Sequence, residues 1–95
     1  MILLKIVKSN RKDKKLMAVF ETLKGRKVVH FGAVGYSDYI SSGGDNVKKR
    51  AYIARHKVNE KWDDPMTPAT LSRYLLWNKP TLDESLKDFR KRFNI

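Results

Sequence analysis

Residues 16–33, LMAVFETLKGRKVVHFGA, decide the fold. In an extended chain, Leu16, Ala18, Phe20 and Thr22 fall on one side, and Met17, Val19, Glu21 and Leu23 on the other. Such alternation belongs to a strand with one face on a core. The KGR that follows is a hairpin signal, with Gly25 free to take a positive φ. KVVHFGA then reads as the partner strand. Upstream, ILLKIVKS is rich in Ile, Leu and Val and too short for a helix, so it reads as a third strand. SNRKD between them is turn chemistry, because Ser9, Asn10 and Asp13 can bond nearby backbone. The expectation is an antiparallel meander over residues 2–8, 15–23 and 26–32.

Beyond residue 45 the apolar period changes to that of a helix. Val47, Ala51, Ala54, Val58 and Trp62 form a stripe at spacings of three and four, predicting a helix over residues 45–62 with Asp45 as N-cap. Pro65 closes it, and SSGGDN at its start is the best candidate for a mobile segment. Thr67 and Pro68 open a second helix over 68–78, as cap and first helical residue. Thr81 and Glu84 open a third over 82–93, with the stripe Leu82, Leu86, Phe89, Phe93. Lys87, Arg90, Lys91 and Arg92 suit its C-terminal dipole and need no ligand. Ninety-five residues make one domain, of α+β class, with three helices packed on one face of the sheet.

Composition narrows the function classes. The chain has no cysteine, which removes disulfides and thiolate metal sites. Its apolar stretches are far shorter than the ~20 residues of a membrane span, and the N-terminal order of charges is not that of a signal peptide. An intracellular protein is expected. The formal charge is +11. Residues 1–31 hold nine basic and two acidic side chains, residues 63–95 six and five, so the field is polarised toward the N-terminal third. Such a field favours an anionic partner, nucleic acid first.

HFGAVGYSDY, residues 30–39, is the stretch most like a site. A phosphate loop needs its glycines and a lysine at the start of a helix. Here Gly32 and Gly35 are three apart, no lysine follows, and the helix begins ten residues later. The glycines are read instead as letting the chain leave the sheet sharply. Asp38 is expected to bond its own loop or the first helix, with His56 as the favoured partner. His30 and His56 have no cysteine beside them, so no metal and no cofactor is expected. Ser37, Asp38 and His56 could be written as a triad, but no oxyanion pattern surrounds Ser37, and the chain is not read as an enzyme.

These phrases carry a resemblance. VVHFGAVGYSDY, KKRAYIARHKVNEKWDDPMT and LSRYLLWNKPTLDESLKDFRKRFNI are similar to a family of small uncharacterised proteins encoded by large eukaryotic double-stranded DNA viruses, relatives of chloroviruses and giant amoebal viruses. The resemblance runs from Lys5 almost to the end. This chain departs from the pattern at Ile40, at SSGGD and at Pro68-Ala69-Thr70. The resemblance implies viral origin and a shared fold, but no activity.

The contact residues expected for nucleic acid are Arg11, Lys12, Lys14 and Lys15 at the first hairpin tip, and Lys48, Tyr52 and Arg55 on the first helix. Cations there would meet phosphates and the tyrosine ring would stack on a base, without sequence reading. DNA is favoured over RNA as partner. The alternative is a virion or capsid-associated protein docking an acidic protein partner. Either would work inside an infected cell, and packaging in the virion is a further expectation.

Overall fold

The computed structural model describes all 95 residues. Strands β1 (Ile2–Lys8), β2 (Lys14–Thr22) and β3 (Gly25–Ala33) form an antiparallel sheet in the order β1-β2-β3, which is the expected meander. Leu16 pairs with Phe31, Ala18 with Val29 and Leu3 with Phe20, placing these six on one face. The β1 register shifts between Leu3 and Lys5, so Leu4 is an extra residue. That bulge lets both Leu3 and Ile6, three apart, serve the core side.

Three helical segments follow. They are α1 (Asn46–His56), α2 (Pro68–Leu71), which continues as a π-helical stretch over Ser72–Leu76, and α3 (Leu82–Phe93). Each α-helix has its expected cap. Asp45 accepts from the amides of Val47 and Lys48, Thr67 from that of Thr70, and Thr81 from that of Glu84. One core joins sheet and helices: Leu3, Ala18, Phe20, Val29 and Phe31 meet Leu71, Leu75, Leu76 and Phe89. Arg90 of α3 fastens the last helix to the first strand, donating to the carbonyls of Leu3 (2.8 Å) and Ile95 (3.0 Å). Beyond complementing the dipole, this cation therefore satisfies buried backbone.

The first helix differs from its expectation twice. It ends at His56, not near residue 62, because Glu60 folds back: its carboxylate accepts from His56 Nδ1 (2.6 Å) and from Trp62 Nε1 (3.0 Å). Val58 and Asn59, both weak helix formers, lie in the turn. The buried face is also different. Val47 and Val58 are exposed, as are Ala51 and Ala54, whereas Tyr52 is buried and Lys49, Ile53 and His56 are half-buried beside it. Tyr52 stacks on Trp77, with ring centroids 4.4 Å apart and planes 9° apart, and Lys49 donates to the carbonyl of Asn78 (2.6 Å). Two alanines offer too little area to compete with that stack. The helix therefore leans on the end of the π-helical stretch rather than on the sheet.

The segment between β3 and α1 is hydrogen-bonded from Asp38 onward. Tyr39 N donates to the carbonyl of Leu76, Gly44 N to that of Tyr39, and the Tyr39 hydroxyl to Asn46 Oδ1. Within SSGGDN, the amides of Ser42 and Gly43 donate to the carbonyls of Asp38 and Ile40.

Gly32 and Gly35 both take positive φ, +81° and +94°. A Cβ on Gly32 would lie 2.7 Å from a methyl of the buried Leu76 and 3.3 Å from Lys15 Cβ, whereas one on Gly35 would meet nothing within 4 Å. Gly35→Val should therefore cost only backbone strain, about 1–2 kcal/mol. Gly32→Val adds overpacking to that strain, for about 2–5 kcal/mol in all. Urea unfolding of the two variants checks this; equal losses would show that the clash at Gly32 is not there.

Candidate functional site

A cleft of about 680 Å³ opens between the end of the β2–β3 hairpin, the loop of residues 34–38, α1 and the start of α2. Its lining includes Lys14 and Lys15 from β2, Gly32 from β3, Tyr36, Ser37 and Asp38 from the loop, and Lys48, Ala51, Tyr52, Arg55 and His56 from α1. Ala69, Ser72, Leu76 and Trp77 close the far wall. The volume falls within the range of ~300–1,000 Å³ typical of small-ligand sites.

Two carboxylates reach this cleft, and both are already satisfied. Asp38 is buried, accepting from Lys15 Nζ at 2.7 Å and, within its own loop, from the amide of Ser41 at 2.8 Å. Glu60 accepts from His56 and Trp62 as described. An ionised carboxylate can only accept, so His56 carries its proton on Nδ1. His56 thus pairs with Glu60 and not with Asp38, because Lys15 reaches the aspartate first. Ser37, Asp38 and His56 all line the cleft, but each bonds elsewhere: Ser37 Oγ accepts from Lys48 Nζ at 3.3 Å.

Of the residues expected to contact nucleic acid, five line this cleft: Lys14, Lys15, Lys48, Tyr52 and Arg55. Arg11 and Lys12 lie outside it on the exposed turn, where Arg11 pairs with Asp13 at 3.1 Å. Lys48 gives a single bond to Ser37, and two of the five are fully engaged. Lys15 holds Asp38 and also the carbonyl of Tyr36 (2.5 Å), so it braces the loop. The Tyr52 ring is sandwiched between Trp77 and His56, leaving neither face for a base. Its burial, reinforced by nearby Glu60, pushes the Tyr52 hydroxyl up to about 12. The remaining three, Lys14, Lys48 and Arg55, form no ion pair. Lys48, Ala51 and Arg55 are spaced so that α1 presents them together, the small alanine leaving room between two cations.

Residues 4–56 match a family of unknown function (DUF5754). The chain belongs to that family. No curated protein and no solved structure matches it. The DUF5754 stretch covers most of the sheet, the loop and α1, and so contains all three cleft cations that form no ion pair.

Sequence reasoning missed Tyr36. This tyrosine is 75% exposed, lines the cleft and packs its ring on no other aromatic. The only available signal was its place between Gly35 and Ser37, in a loop read as purely geometric.

Proposed function

We propose that the protein binds nucleic acid through this cleft, by phosphate contacts from Lys14, Lys48 and Arg55. The observation that carries the reading is electrostatic. Three cations from two elements face one concavity whose carboxylates are already bonded, so their charge is left for an outside anion. The overall charge of +11 draws polyanions toward the molecule. Cations offering only charge and simple hydrogen bonds to phosphate would position a strand without reading its sequence. The resemblance to proteins of large DNA viruses makes DNA the first partner to try.

Anisotropy titrations of labelled oligonucleotides across a salt series test the reading. Three phosphate contacts predict a slope of log affinity against log salt of about −2 for a single strand, and between about −2 and −3 for a duplex. Absence of binding at low salt would remove nucleic acid and leave an acidic protein as the anion to seek.

A further inference from the structure

Tyr36 combines exposure with an anchored backbone. The Lys15 ammonium holds its carbonyl, Ser37 beside it accepts from Lys48, and Asp38 next in line is buried. The other three tyrosines are occupied: Tyr39 is buried, Tyr52 is sandwiched, and Tyr74 packs against Phe93 and two guanidinium groups. One ring is thus presented at the cleft by a loop held at its carbonyl, next to cations that form no ion pair. A ligand that uses both must carry a flat apolar face and an anionic group on the same unit. A nucleotide does, but a duplex keeps its base faces stacked inside and offers phosphates, sugars and base edges without a free π-face.

We propose that the cleft receives an unpaired nucleotide whose base stacks on Tyr36 while its phosphates meet Lys14, Lys48 and Arg55. The protein is then selective for single strands over duplex, with little preference among bases, because every base has a π-face. This inference rests on the nucleic-acid reading above and adds the form of the strand. Lys15 acts as a positioning residue, since it holds the loop that carries the ring.

The test compares a short oligothymidylate with a duplex of equal length, binding to the parent, Tyr36→Ala and Tyr36→Phe. The parent should bind the single strand at least about tenfold more tightly than the duplex. Loss of one stacked base should lower single-strand affinity about 5- to 100-fold in Tyr36→Ala, with the salt slope unchanged because no charge is removed. Tyr36→Phe keeps the stacking face and should bind like the parent. Melting curves should be the same for all three, as the ring is exposed. Equal affinity for the two forms of DNA, or Tyr36→Ala binding single strands like the parent, overturns the inference while leaving phosphate binding intact. Failure of the parent to bind either form instead overturns the nucleic-acid reading, and this inference with it.

Discussion

Replacing Lys14, Lys48 and Arg55 together with alanine is expected to lower single-strand affinity about 100-fold near 0.1 M salt and to remove most of its salt dependence. The magnitude follows from counterion release, in which each single-strand phosphate contact contributes a slope of ~0.7, or about a factor of five at that salt. The fold should be unaffected. Lys48 and Arg55 are exposed on α1, where alanine is the better helix former, and Lys14 makes no side-chain hydrogen bond or ion pair. Replacing Lys24, Lys87 and Lys91 removes the same charge from exposed positions outside the cleft. That control should weaken binding much less, through the general field alone. If the two triple variants lose affinity equally, binding depends on net charge and the cleft has no part in it.

The largest expected loss of stability is for Phe89→Ala. Phe89 is wholly buried, lies 5.0 Å from the Phe93 ring and joins α3 to the sheet core. Truncating a buried phenylalanine costs about 3–5 kcal/mol, a large share of the ~5–15 kcal/mol that stabilises a typical domain. The melting temperature should fall by more than ~12 °C. Thermal melts followed by far-ultraviolet circular dichroism check this. A drop of only a few degrees would mean that α3 is peripheral to the fold.

The elements that could be read from sequence are those whose signals are local. The Leu16, Ala18, Phe20 alternation, Gly25 at the hairpin, and the Leu82, Leu86, Phe89, Phe93 stripe each specify a face within one segment. The face of α1 could not be read, because it is chosen by Trp77, twenty-five residues beyond Tyr52. The same distance problem hid the chemistry of the cleft. Lys15 and Asp38 meet only once the β2–β3 hairpin has closed, and until then Lys15 looks as free as Lys14. Tyr52, expected to be free for stacking, found aromatic partners for this reason, whereas Tyr36, to which no role was given, did not. The π-helical stretch after α2 also left no mark, since SRYLL has the composition of ordinary helix.

Mapping of backbone amide shifts in ¹⁵N-labelled protein titrated with a short oligothymidylate tests the central claim most directly. Binding in the cleft predicts shifts concentrated at Gly32 to Asp38, at Lys48 to His56 and at Ala69 to Trp77, with the turn at Arg11 and Lys12 and the end of α3 nearly still. Shifts centred on that turn or on Lys87 to Arg92, with the cleft unmoved, would contradict the account.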